Sequence, residues 1–484
     1  MKRSFYANLA FLFFVNLLIK PFWILGIDRT VQNRLGAEEY GLYFALFNFS
    51  MLFQVFLDFG INNLNNRLVA QDKHFIAASM PAVASLKLLL AAGYCIVTLL
   101  AATVLDYTFR QIFLLALLTA NQVIASFLLY LRSNLSGMHL FRIDSILSVT
   151  DRLLMILICG FLLWGPYCEN FSINWFIYAQ TASLGLTLLM ALVLVAHKAS
   201  PAQSTGKRLK VGQLLRMAYP YALLGLMMTI YYRIDGIMLE RMLPEGAFEA
   251  GVYAASFRLL DAANNMVGVL FASLLLPMFA RLIREGGDVH ELGGAAARLI
   301  ITLAALITTS AIFYRNEIIG LLYPQAPAEW ASVLAMLFLS FPGICLVYVY
   351  GTLLTANGSI SALNRIALAG MALNILLNYF LIPPQKALGA SLATVTTQTL
   401  VAGAHLYVTA RVFPFPLRGN TTFPFFGYLI AVVILIGLAR QLPLFWGYSL
   451  LISLLASVLL GNRMGIISLN WLSQPPIRKM NPPE

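Results

Sequence analysis

Residues 173–196 read INWFIYAQTASLGLTLLMALVLVA, and this stretch contains no charged residue. A helix of that length rises about 36 Å, more than the roughly 30 Å of a bilayer's hydrocarbon core. Inside the core the backbone has no water to bond, so only a helix or a strand of a closed barrel can cross. A barrel strand would alternate in polarity over about ten residues. This run does not, so the reading is a membrane-spanning helix.

Similar stretches recur on both sides of it. The expected spans are 5–27, 40–64, 75–103, 110–131, 145–165, 173–196, 214–240, 250–280, 296–314, 330–355, 364–382, 388–410, 423–440 and 445–461. The fold class is therefore all-α, a polytopic membrane protein of about fourteen transmembrane helices. Composition agrees: 60% of the 484 residues are hydrophobic and 11% charged, an apolar load that a soluble chain of this size could not bury. The start, Met1-Lys2-Arg3 followed by an apolar run, imitates a secretory leader. Lys20 inside the run, the lack of a small-residue cleavage site and the spans that follow favour a first membrane span.

Directly after residue 196 comes a polar, basic stretch, 197–213, with Lys198, Lys207, Arg208 and Lys210. It separates an expected N-terminal six-helix bundle, 1–196, from a C-terminal one, 214–410, and residues 411–484 add two helices and a tail. The net charge of +12 comes from basic residues scattered through short loops, which argues for topology rather than nucleic-acid binding. With the N terminus inside, twenty-one loop and terminal basic residues face the cytoplasm and seven face out. That bias puts both termini in the cytoplasm. Trp23, Trp164, Trp175, Trp330 and Trp446 fall at outer span ends, where amphipathic rings favour the interface. Cys95, Cys159, Cys168 and Cys345 form no metal-binding or disulfide pattern. No nucleotide-binding, nucleophile-elbow or paired-carboxylate motif is visible. Neither a cofactor nor a metal nor an enzymatic activity is expected.

An internal echo is present. Gly41-Leu42-Tyr43-Phe44-Ala45-Leu46-Phe47 and Gly251-Val252-Tyr253-Ala254-Ala255-Ser256-Phe257 both read G-x-Y-x-A-x-F, each just after an acidic hairpin. They enter spans two and eight. An offset of six spans gives two parallel repeats, related by an axis along the membrane normal.

With the charges of the loops and the adjoining span ends set aside, seven ionisable residues lie within the spans: Lys20, Asp58, Lys87, Arg233, Asp235, Arg258 and Asp261. Each costs roughly 3 kcal/mol or more at mid-bilayer, so each should face protein or water. Asp58 lies near the inner end of its span, where a structural role is the simpler reading. Lys20 corresponds under the repeat to position 230, one turn from Arg233, so both halves present a cation at similar depth. Arg233 and Asp235 are two apart and point differently; Asp235 or Asp261 should pair with Arg258 or Arg233 across the hairpin of spans seven and eight. Four cations against three acids leave a surplus of one. Such cations suit an anionic head group, whose lipid tail can stay in the bilayer. Pro21, Pro81, Pro220 and Pro342 are expected to kink their spans.

Several segments, in order over most of the chain, resemble the bacterial oligosaccharide flippases, the polysaccharide biosynthesis type of the multidrug/oligosaccharidyl-lipid/polysaccharide exporter superfamily. They are Leu35-Gly36-Ala37-Glu38-Glu39-Tyr40-Gly41-Leu42-Tyr43, Leu57-Asp58-Phe59-Gly60-Ile61, Tyr232-Arg233-Ile234-Asp235-Gly236-Ile237-Met238-Leu239, Gly251 through Leu259, and Leu381-Ile382-Pro383 with Ala387-Leu388-Gly389-Ala390-Ser391-Leu392-Ala393-Thr394. The resemblance implies two six-helix bundles plus two C-terminal helices. It implies a polyprenyl-diphosphate-linked oligosaccharide carried from the inner to the outer leaflet of the cytoplasmic membrane by alternating access, for surface polysaccharide synthesis. Partners would be that substrate, membrane lipids and polysaccharide polymerase machinery, with the carrier a monomer. Arg233 and Arg258 sit where this family often carries basic residues; Lys20 matches no motif and rests on depth. Pro384-Gln385-Lys386 departs from the family's single-proline form of that loop.

The candidate substrate ligands are therefore Lys20, Arg233, Arg258 and Lys87, and the candidate ion-coupling or charge-pairing acids Asp58, Asp235 and Asp261. Two other functions compete. A cation-coupled drug exporter of the same superfamily would want acids to dominate its cavity. A membrane glycan polymerase or ligase would want a large outer loop with basic and histidine residues, whereas the longest expected here, 315–329, is short and the five histidines lie elsewhere.

Overall fold

The computed structural model describes residues 19, 21–59, 61, 62, 65, 69, 75–138, 140–166, 168–198, 211–413 and 419–466. Among them every regular element is helical, and spans two to fourteen can be followed, together with the last turns of span one. The all-α polytopic membrane fold is thus the observed one. Leucines such as Leu89, Leu100, Leu189 and Leu459 are more than half exposed along these helices, as lipid-facing side chains are. The chain packs as two compact units: residues 1–262 with 360–397, and residues 263–359 with 398–484. These are packing units; the halves 1–196 and 214–410 read from sequence are a topological division and a different quantity.

In the first unit, a π-helical turn Trp23–Asp28 runs into the helix Arg29–Leu52. Spans one and two are joined through a kink at Gly36 (φ 80°, ψ 171°), so the expected loop 28–39 is largely helix. That φ is open to glycine and costly for other residues. Span two breaks after Leu52, where a 3₁₀ turn Gln54–Leu57 and Phe59 at φ 42° replace the uninterrupted helix expected to residue 64. Spans three to seven are Phe75–Val104, Phe109–Gly137, Phe141–Trp164, Ile173–Lys198 and Val211–Met242. Span four opens on a capping box: the Thr108 hydroxyl accepts from the Gln111 amide, and the Gln111 side chain accepts from the Thr108 amide. Span seven carries Pro220 inside its helix. Spans eleven and twelve form one helix, Ile360–Val412, kinked at Lys386 (φ 53°) just after Pro383 and Pro384.

The two copies of the G-x-Y-x-A-x-F motif touch each other. A side chain at Gly41 would strike the carbonyl oxygen of Ala247, and one at Gly251 the carbonyl oxygen of Ala37. Ala247 is to Gly251 what Ala37 is to Gly41, so the contact is reciprocal. Self-complementary contact of this kind is what a two-fold relation between equivalent segments produces. The Gln32 side chain also donates to the Gly251 carbonyl at 2.9 Å.

In the second unit, span nine (Val289–Phe313) starts at Asp288, whose carboxylate accepts from the His290 amide. The expected outer loop 315–329 contains a short helix, Arg315–Leu322, that hydropathy does not announce. Span ten is broken into Trp330–Phe338 and Phe341–Ala356, with Pro342 opening the second piece. Spans thirteen and fourteen, Gly419–Ala439 and Trp446–Arg463, are tied in by Tyr314 to Ser449 (2.9 Å) and Tyr428 to the Ser457 carbonyl (3.2 Å).

Candidate functional site

Arg258 lies two turns into span eight beyond the Gly41–Gly251 crossing, which brings it against the end of span one and the head of span two. Its Nε–H donates to the Tyr40 phenol oxygen at 3.1 Å, and the same nitrogen forms an ion pair with Asp28 Oδ2 at 3.1 Å. Tyr40 in turn donates to Asp28 Oδ2 at 2.8 Å. The guanidinium also sits 5.5 Å from the ring centres of Phe44 and Phe47. Asp28 is buried, with 4% of its side chain exposed, while Arg258 keeps 15%.

Arg233 is built into the same wall from span seven. It lies 4.0 Å from Asp261 Oδ2, donates to Asn48 Oδ1 at 3.3 Å, and sits 5.5 Å from the ring centre of Phe257. Tyr232 donates to Asp261 Oδ1 at 3.3 Å. Phe257 packs on Phe44 with ring centres 5.6 Å apart, so the two arginines share one aromatic partition. Arg233 and Arg258 each leave 15% of the side chain exposed. A partly exposed guanidinium that is already desolvated along its length holds anions far better than one free in water.

The other expected residues fall elsewhere. Asp235, two residues on from Arg233, is buried and accepts from Tyr253 (2.7 Å), Thr394 (2.6 Å) and Asn378 (2.6 Å). It pairs with neither arginine. Lys87 is 1% exposed and donates to the Leu57 carbonyl (3.1 Å) and Asp58 (3.5 Å). Ser126 donates to the same carbonyl, and Asp58 Oδ1 accepts from the Asn62 amide. Lys87 and Asp58 thereby satisfy the backbone that the break in span two sets free. Lys20 lies outside the described residues. Of the expected hairpin pairings, Arg233 with Asp261 is present; Arg258 turns instead to Asp28. Hydropathy ends the first span one residue before Asp28, so sequence reading passes over it. Counting it removes the expected surplus: four cations then face four acids. The signal in the sequence is Gly36, a better boundary than the last apolar residue.

A second cluster joins the end of span seven to the hairpin of spans three and four. Glu240 accepts from Tyr107 (3.3 Å) and Gln111 (3.0 Å), and Arg241 covers the Tyr107 ring at 4.6 Å and donates to the Leu105 carbonyl. Burial, with the Glu240 carboxylate beside it, holds the Tyr107 phenol above its ordinary range. Nearby, Arg110 pairs with Glu39 at 2.6 Å, and Lys386 with Glu249 at 3.2 Å. Glu39 and Glu249 occupy equivalent places in the repeat. No group of three or more metal-ligating side chains occurs among the described residues.

The chain is similar in fold to the lipid II flippase MurJ in an inward closed conformation, with a TM-score of 0.72 at 14% identity, covering 95% of this chain and 99% of that one. It is also similar to an inward-facing multidrug resistance transporter of the MATE family (TM-score 0.63, 14% identity, 82% and 93% covered). A further likeness is to a transporter of the MOP superfamily from Pyrococcus furiosus (0.58, 16%, 84% and 94%). At these identities the likeness concerns the fold. No curated protein matches the chain by sequence. Residues 6–283, more than half the chain, match the family described as polysaccharide biosynthesis protein, and the chain belongs to that family.

Proposed function

We propose that the protein is a flippase of the bacterial cytoplasmic membrane. It carries a polyprenyl-diphosphate-linked oligosaccharide from the inner to the outer leaflet by alternating access, for cell-surface polysaccharide synthesis. The observation that carries the reading is the pair of part-exposed arginines, Arg233 and Arg258, on one aromatic partition inside a membrane fold. Two guanidinium groups on one partition offer charge-assisted donors to a diphosphate, and the flanking rings of Phe47 and Tyr232 suit the apolar faces of sugars. The family's description and the lipid II flippase among proteins of like fold support the same reading.

In this account Arg233 and Arg258 bind the head group and Lys20 joins them on grounds of depth. Lys87, covered by Asp58, reaches a head group only after the break in span two rearranges. The topological halves 1–196 and 214–410 are the moving parts, 197–213 is their basic cytoplasmic linker, and 411–484 adds two spans and a tail. Both termini face the cytoplasm, the carrier works as a monomer, and its product passes to polysaccharide polymerase machinery. Asp235 is the coupling acid, with Asp58 and Asp261 in pairing roles. Asn378 Oδ1, buried beside Asp235 and without a hydrogen-bond partner among the described residues, offers a second oxygen to a proton or sodium ion.

The fold shared with multidrug transporters supports one other reading, export of small cations driven by an ion gradient. Reconstituted vesicles distinguish the two. The flippase reading expects translocation of a polyprenyl-diphosphate-linked sugar and no movement of a cationic dye; dye efflux without lipid movement would replace it.

A further inference from the structure

We infer that Asp28 and Asp261 are displaceable counter-ions: each neutralises one arginine while the site is empty and yields it to a phosphate when substrate arrives. The inference rests on the flippase reading and deepens it.

The site is charge-balanced. Arg258 has Asp28 and Arg233 has Asp261, and neither arginine is closed over, since each keeps part of its side chain exposed. A diphosphate bears at least two negative charges. It cannot settle on both guanidinium groups while a carboxylate stays beside each, because like charges brought together in a site of low dielectric repel strongly. Substrate binding must therefore exchange one anion for another. After release the carboxylates return, and the empty carrier resets without bare cations in a water-poor interior, which would be costly.

The two pairs are unequal. Arg233 and Asp261 stand 4.0 Å apart, at the outer limit of an ion pair. Arg258 and Asp28 are at 3.1 Å, and Tyr40 bonds both of them, so Asp28 is fixed in place. Arg233 is thus the first to receive a phosphate and Arg258 the second. The pair at Arg258 sets how readily substrate leaves. Asp28 and Tyr40 are positioning residues in this scheme: they touch the arginine, and the arginine touches the substrate.

The consequence is a split between binding and turnover that a purely structural acid would not produce. Removing Asp28 leaves Arg258 free for phosphate, so binding tightens, and leaves an unpaired cation in the reset, so turnover slows. The test uses the purified full-length protein in detergent, with undecaprenyl diphosphate as probe and undecaprenol as the uncharged control. Asp28→Asn and Asp261→Asn should each bind the diphosphate at least about tenfold tighter than wild type. In vesicles the same variants should turn over at least about tenfold more slowly. Asp28→Glu, which keeps the charge, should stay within about threefold of wild type in binding. Should Asp28→Asn fail to fold, Asp261→Asn carries the same expectation. Wild-type binding of the diphosphate together with unchanged or weaker binding by a folded Asp→Asn variant overturns the counter-ion exchange and leaves the flippase reading standing. Wild type binding the diphosphate no better than undecaprenol overturns both.

Discussion

Replacing Gly251 by alanine tests the helix crossing on which the arginine site is built. A methyl group placed there meets the Ala37 backbone: its carbonyl oxygen first, then its carbonyl carbon at 2.7 Å and Cα at 2.9 Å. Carbon atoms rest at about 3.5–4.0 Å, so spans two and eight must separate by roughly 0.8 Å or more, and backbone cannot swing aside as a side chain can. Overpacking of this size costs about 1–3 kcal/mol. The same displacement stretches the bond from Gln32 to the Gly251 carbonyl, now 2.9 Å, beyond useful range. That adds about 1 kcal/mol, giving about 2–4 kcal/mol in all. Gly225→Ala is the control, because nothing lies within 4 Å of a methyl group there. Thermal unfolding of the detergent-purified protein, followed by a dye that reports exposure of the buried Cys159 and Cys345, gives the readout. Gly251→Ala should unfold several degrees below Gly225→Ala. Gly41→Ala should do the same, and the double variant should lose less than the sum, since one separation relieves both clashes. A Gly251→Ala protein as stable as the Gly225→Ala control refutes the reasoning.

Lys87→Met removes the group that holds the Leu57 carbonyl and Asp58, and should cost about 3 kcal/mol in unfolding measurements; a variant of wild-type stability would show that span two's break is held by other contacts. Asp235→Asn keeps the shape of a side chain that now takes three hydrogen bonds, and should abolish the dependence of translocation on an ion gradient; dependence equal to wild type removes Asp235 from coupling. Glu240→Gln weakens the tie from span seven to Tyr107 and Gln111. Spin labels at positions 169 and 248 should then report a second, longer distance, whereas one unchanged distance would mean that this cluster restrains no motion.

How far the site is legible in the sequence can be seen from individual residues. Spans are plain because lipid admits few alternatives: an uncharged run such as 173–196 has to be a helix, and it is one, Ile173–Lys198. The repeated glycines Gly41 and Gly251 stand out as sequence, but their reason, reciprocal backbone contact, exists only once spans two and eight cross. Arg233 and Arg258 are conspicuous because charge is costly in lipid. Their partners are harder to name. Asp28 lies at the margin of its apolar run, where hydropathy does not separate span from loop, and only the kink at Gly36 shows that the helix continues past it. Asp235 looks like an arginine's partner by sequence proximity, yet two residues along a helix is more than half a turn. It points instead to Tyr253, Asn378 and Thr394, residues neutral enough to pass unnoticed. The break after Leu52 is hidden because the stabilising donors, Lys87 and Ser126, come from other spans.

The most direct test of the account is translocation itself. Protein reconstituted into vesicles with a fluorescent polyprenyl-diphosphate oligosaccharide, quenched from one side, reports movement between leaflets. Wild type should carry the lipid, and the Arg233→Ala/Arg258→Ala double variant, reconstituted to the same level, should fall to the rate of protein-free vesicles. A double variant that moves the lipid as fast as wild type would contradict the account at its centre.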